Sequence, residues 1–227
     1  MATKGRRASP GRRAEVIDAA TRVFHEKGYE ASSIQDVADA LGILKGSLYY
    51  YIESKEDLLF AIIDDVHRST LQQLDRWLEI DGDALTRLRA FLHGQVLIYC
   101  RDVARVGVFL NDFRSLSPEH RERILEERDR FDETLRDLIR TGQREGVIAP
   151  EVDPKLSAMA IFGMMNWLST WWRPDGPSAP EQVAQQFADL AVAGLAAQPD
   201  GRPRRELGAL PDQVAGIVAD GAHGGAA

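Results

Sequence analysis

One cysteine, Cys100, stands in a chain of 227 residues. A lone thiol cannot form an intrachain disulfide, so the fold must be held by packing, as suits a reducing compartment. The five histidines show no ligand spacing, and no metal site is expected. Long hydrophobic runs are also missing. The longest uncharged stretch, residues 156–172, is 17 residues long and includes Ser157, Asn166, Ser169 and Thr170, which puts it at the lower limit for crossing a bilayer. No apolar run follows the basic start, so neither a secretory signal nor a membrane partner is expected, and the protein reads as soluble and cytoplasmic. There is no Gly-x-Ser-x-Gly elbow, no phosphate loop and no paired-histidine motif. Catalytic residues and cofactors are therefore expected to be none.

What is present is charge, unevenly placed. The net charge is −7, which argues against a nucleic-acid partner until it is divided along the chain. Through Lys55 there are nine Lys/Arg against seven Asp/Glu, and beyond it nineteen against twenty-eight. Five of the nine early cations are Lys4, Arg6, Arg7, Arg12 and Arg13. Residues 1–9 then form a disordered basic arm, which can follow phosphates or enter a minor groove, or be a solvated leader. Residues 198–227, rich in Gly, Ala, Pro and Arg, are expected to be disordered.

The periodicity predicts an all-α fold. A first helix over residues 12–27 carries Ile17, Ala20 and Phe24 on one stripe and ends at Gly28, a candidate left-handed cap. Ser33 is a good N-cap for the second helix, with Asp36 three residues on and Val37, Ala38 and Leu41 inward. Gly42 supplies a turn, and a recognition helix is expected over residues 45–51. Leu48 and Ile52 point inward there, leaving Lys45, Gly46, Ser47 and Tyr50 outside. Glycine inside a helix costs roughly 1 kcal/mol against alanine, and its use here suits close approach to DNA. Lys55 opens the next helix, where a cation opposes the helix dipole; a phosphate contact explains it better.

These residues resemble the TetR family of one-component transcriptional regulators. The resemblance rests on Gly28-Tyr29, Ser33, Val37-Ala38, Gly42-Ile43, Lys45-Gly46-Ser47-Leu48-Tyr49 and Ser54-Lys55-Glu56-Asp57-Leu58. It implies a helix-turn-helix over residues 10–55 and a ligand-binding and dimerisation domain over residues 56–197. It also implies DNA contacts from Ser33, Lys45, Gly46, Ser47, Tyr49, Tyr50 and Lys55, a palindromic double-stranded operator and a homodimer. Two departures stand out. Leu44 occupies a position where the family often has a capping Ser or Thr, and Ile52 one where it often has Phe.

Beyond residue 55, helices are expected over residues 55–80, 84–100, 104–114, 118–143, 154–172 and 180–197. The segment 159–172, MAIFGMMNWLSTWW, is apolar nearly all round and must be buried on more than one side. With the last helix, whose seam is Val183, Phe187, Leu190 and Gly194, it is expected to make a dimer interface. The alternative is a monomer whose last helices pack on its own core. In TetR proteins a small molecule enters the second domain. Candidate pocket residues are Phe91, Gln95, Tyr99, Phe109, Phe113, Phe131, Met164, Trp167, Leu168 and Trp171, residue types that at such positions are more often core than ligand wall. The helix over residues 154–172 has no carboxylate among its aromatics, and Arg101, Arg105 and Arg173 flank the apolar segments. That favours a lipophilic effector, neutral or with an anionic head, such as an acyl-CoA. The stretch Trp171-Trp172-Arg173-Pro174-Asp175-Gly176-Pro177 followed by Glu181-Gln182-Val183 is similar to regulators of lipid and sterol breakdown. A regulator of efflux or antibiotic resistance with a drug-like effector is the alternative, and an enzyme or a head without DNA binding are the rival classes.

Overall fold

The helix starts are set by short side chains that satisfy orphan backbone N–H groups. A computed structural model describes residues 10–197; the expected basic arm and C-terminal tail lie outside the described residues. Helix α1 runs Pro10–Lys27, α2 Ile34–Leu41 and α3 Lys45–Leu48. In α2, Ser33 makes a reciprocal capping box: its N–H donates to Asp36 Oδ2 at 2.8 Å, and the Asp36 N–H donates to Ser33 Oγ at 3.2 Å. Gly28 and Gly42 both take positive φ, 79° and 66°, as the expected turns require.

Helix α4, Lys55–Leu78, starts on a second such box between Ser54 and Asp57. Helices α5 (Ala84–Arg101), α7 (Pro118–Arg144) and α8 (Pro154–Trp171) begin at Asp83, Ser117 and Asp153, each accepting a backbone N–H from the first turn. Proline at the first position helps start the latter two. Helix α6 is Val103–Asp112, continued by a 3-10 turn at Phe113–Ser115. Helix α9, Pro180–Leu195, starts without a capping hydroxyl; the Ala179 N–H donates to the Gln182 side chain instead. An isolated antiparallel bridge, Ile148 to Ala196, ties the end of α9 to the turn after α7.

Two cores result. The first joins α1, α2, Leu48 and Ile52 to Leu58, Leu59, Ile62 and Ile63 of α4, and takes in Val108, Leu116 and Ile124 from beyond the head. The second is built from α5, α7, α8 and α9 with the far half of α4. Helix α4 is thus shared by both, and a displacement at one end of it must be felt at the other. Arg105 of α6 adds a polar tie, pairing with Asp18 on α1 and Asp65 on α4. Among the described residues no helix is long and apolar enough to cross a membrane.

Candidate nucleic-acid interface and ligand cavity

The second helix of the motif is shorter than expected. It stops at Leu48 rather than residue 51, because the chain continues in tighter turns, with the Tyr50 and Tyr51 N–H groups donating to the Ser47 and Leu48 carbonyls. Leu48 and Ile52 are buried as expected, while Leu44, Tyr50 and Tyr49 are 80%, 84% and 50% exposed. Lys45 and Gly46 are exposed and Ser47 half-buried. A Cβ placed on Gly46 would meet no protein atom within 4 Å. One short turn therefore presents Lys45, Gly46, Ser47, Tyr49 and Tyr50 to solvent.

The other two candidates stand apart in sequence, at the starts of α2 and α4. Ser33 is exposed, but its side chain is engaged in the α2 cap. The Lys55 ammonium lies 4.1 Å from the centre of the Tyr29 ring and donates to the Glu30 carbonyl at 3.5 Å. Its stem is thus held against the head, and a phosphate could replace the weak carbonyl contact.

A cavity of about 370 Å³ opens in the second half of the molecule, a size suited to a small molecule. Of the ten residues expected to line it, Tyr99, Phe109 and Phe131 do. The others are placed elsewhere. Phe91 is buried edge-on to Trp77, with its ring centre 5.5 Å from that of Phe131. Gln95 is fully buried and donates to Thr70 Oγ1 at 3.2 Å. Phe113 packs on the first core, Met164 and Leu168 on the second. Trp167 and Trp171 are at the surface, 62% and 42% exposed. Their four-residue spacing puts them on one face of α8, but that face turns away from the chain's own core.

Sequence reasoning missed the wall formed by α4: Val66, His67 and Thr70. The signal was there, since His67 and Thr70 are polar residues at helical spacing within an apolar stripe. Phe162, Gly163 and Asn166 come from α8, and Arg128 and Asp132 from α7. A carboxylate does therefore sit near the aromatics. It is bonded to Arg136 through one oxygen, and the other, Oδ1, has no partner among the described residues. Arg128 forms no ion pair among the described residues. The cations expected to matter do not line the cavity: Arg101 pairs with Asp102, Arg105 is held by Asp18 and Asp65, and Arg173 is exposed at the end of α8. Burial, helped by Arg128, pushes the His67 pKa down to about 4, and burial raises the Tyr99 phenol to about 12. Both are neutral near pH 7. Among the described residues no group of three or more His, Cys, Asp or Glu could hold a metal ion.

The expected dimer seam divides as well. Val183 is buried and Phe187 half-buried, facing α5, whereas Leu190 is 57% exposed and Gly194 is open. On α8, Leu156 is 65% and Met159 57% exposed; Leu156, Trp167 and Trp171 share one apolar face of that helix, while Met159 lies at the cavity.

Comparison with known proteins adds family to geometry. A family model described as bacterial regulatory proteins of the tetR family matches residues 16–62. A second, described as a tetracyclin repressor-like C-terminal domain, matches residues 81–195. The HTH-type transcriptional repressor KstR2 of Rhodococcus jostii is 30% identical over 193 residues, covering 82% of this chain and 92% of that protein. The crystal structure of PfmR from Thermus thermophilus superposes with a TM-score of 0.73 at 36% identity, covering 78% of this chain and 97% of PfmR. AibR, solved in complex with isovaleryl coenzyme A and operator DNA, gives 0.72 at 30% identity, covering 79% and 97%.

Proposed function

The chain belongs to the TetR family of bacterial regulatory proteins, and from that premise we propose how this DNA-binding transcriptional regulator works. It acts as a repressor: two copies hold a palindromic operator, and a lipophilic small molecule entering the cavity releases them. The observation that carries this reading is the bare turn at residues 44–50. Lys45, Gly46, Ser47, Tyr49 and Tyr50 offer it one cation, two phenols and an approach unobstructed by a side chain at Gly46. Ser33 and Lys55 add contacts from the starts of α2 and α4, where backbone N–H groups favour phosphate.

Dimerisation follows from the apolar stripe on α8, with the exposed Leu190 of α9 as a further apolar contact. A monomer rarely leaves two tryptophans and a leucine together in water. A two-fold pairing of this stripe with its copy covers them and spaces two heads for the two halves of a palindrome. The effector is a lipophilic molecule with an anionic head, in the manner of an acyl-CoA. Phenylalanines 109, 131 and 162 supply the apolar walls, and the unpaired Arg128 supplies a site for the head. AibR, with isovaleryl coenzyme A bound, supports this class. A drug-like cation is the second reading, favoured by the unpartnered Asp132 oxygen.

Gel-shift with the DNA upstream of the protein's own gene tests the reading. A shift is expected that weakens steeply with salt, is lost in Lys45→Ala with Tyr50→Ala, and is reversed by an acyl-CoA rather than a hydrophobic cation. No shift at low salt with a folded protein refutes DNA recognition by this turn.

A further inference from the structure

The cavity is graded from floor to mouth. Val66, His67, Thr70 and Tyr99, from α4 and α5, are buried. Arg128, Met159 and Gly163, from α7 and α8, reach solvent. A ligand therefore enters between α7 and α8, leaves a charged head beside Arg128, and pushes its far end toward α4 and α5.

That far end does not meet hydrocarbon alone. His67 is 9% exposed, and its Nε2 has no hydrogen-bond partner among the described residues. The ring is fixed edge-on to Phe109, centroids 4.7 Å apart. Next to it Thr70 accepts from Gln95, whose own Oε1 is buried and without a partner. The floor thus offers the cavity an unserved imidazole nitrogen beside a threonine hydroxyl, both uncharged. Water can serve such groups in a roomy polar site. A ligand that displaces the water and returns no hydrogen bond loses about ten-fold in affinity for each group left unserved.

We infer that the effector carries an uncharged oxygen, a ketone or a hydroxyl, on its lipophilic body at the end remote from the head, and that His67 and Thr70 read it. This rests on the cavity being the effector site. Either oxygen type fits, because a neutral imidazole donates or accepts according to its tautomer and the Thr70 hydroxyl does both. A simple saturated acyl chain leaves the floor unserved and belongs to a weaker class of ligand.

Calorimetry on the full chain can decide, with three matched probes: decanoate, and the two decanoates bearing a ketone or an alcohol at the penultimate carbon. Partitioning alone favours plain decanoate, since oxygen lowers lipophilicity. The expected result is the reverse, with one oxygenated probe bound about ten-fold more tightly or better. That preference should vanish in His67→Phe and shrink in Thr70→Val, a nearly isosteric change that guards against a folding failure in the first. Decanoate binding as well as both oxygenated probes overturns this inference alone. A preference that survives both substitutions overturns it too, since other groups would be reading the oxygen. If none of the three binds, the cavity reading falls and this inference with it.

Discussion

Gly46→Ala should make the protein more stable and a poorer DNA binder, and the two signs together test the DNA-reading surface. Gly46 is the second residue of α3, exposed, with no protein atom within 4 Å of the position of an added Cβ. Its φ is not positive, so alanine fits its backbone without strain. Nothing in the fold calls for glycine. Alanine is about 1 kcal/mol better in a helix interior, and about 0.5–1 kcal/mol is reasonable in a first turn. For a chain of this size 1 kcal/mol moves Tm by about 2–4 °C, so a rise of about 1–4 °C is expected. On DNA the same methyl stands between α3 and the groove. A loss of about ten-fold, or ~1.4 kcal/mol, is expected from holding the turn off its close contacts. Calorimetric melting without DNA reads the first quantity. Anisotropy of a labelled duplex from the protein's own upstream region, at fixed salt, reads the second. Unchanged affinity beside a raised Tm would show that DNA does not come close at Gly46. A lowered Tm would show a role for the glycine within the fold.

Four further outcomes follow from the same geometry. Leu44→Ser places a capping hydroxyl at a start that has none and should add about 0.5–1 kcal/mol, seen as a higher denaturant midpoint; no gain would mean α3 is not limited by its cap. His67 has a folded pKa of about 4, below its unfolded value, so its neutral burial costs nothing above pH 6.5, and stability is lost as pH falls from there toward 4. The loss is on the order of 3 kcal/mol by pH 4, and His67→Phe should flatten the stability profile in that window; an unaltered profile refutes the assignment. Trp167→Glu combined with Leu190→Glu, at two exposed apolar positions of α8 and α9, should yield monomers by light scattering with helicity intact, and a persisting dimer would place the interface elsewhere. Arg105→Ala cuts the ties from α6 to Asp18 and Asp65, pairs worth about 0.2–1 kcal/mol each at half-exposed carboxylates; Tm should slip slightly while release of DNA by a saturating ligand weakens about five-fold, and undiminished release would remove α6 from the coupling path.

The helices were legible because their punctuation is local. Gly28 and Gly42 announce left-handed turns, and Ser33, Ser54, Asp83, Ser117 and Asp153 announce starts, each judged from three or four neighbours. Where a boundary depended on something weaker it shifted. Helix α3 gives way to tighter turns after Leu48, and α9 begins at a Gln182 contact rather than at a capping hydroxyl. The DNA-facing residues were readable for a similar reason, since the short stretch from Lys45 to Ile52 has few faces and its inward side is claimed by Leu48 and Ile52.

The cavity was harder because lining is a relation between helices. In α8 nearly every position is apolar, so periodicity says only that more than one face is covered. It gives no angle for the face that meets the chain's own core. Ala158, Ile161, Met165 and Leu168 fill that face, which by helical geometry turns Trp167 and Trp171 outward. Large aromatics suggest a pocket when taken singly, yet here a surface between two copies needs them more. The polar residues that do line the cavity, His67, Thr70 and Asn166, interrupt apolar stripes and were not among the expected liners. An interruption in a stripe that the fold then buries without pairing is a stronger mark of a binding wall than the aromatic residues around it, since packing accounts for a buried phenylalanine but leaves an unpartnered imidazole unexplained.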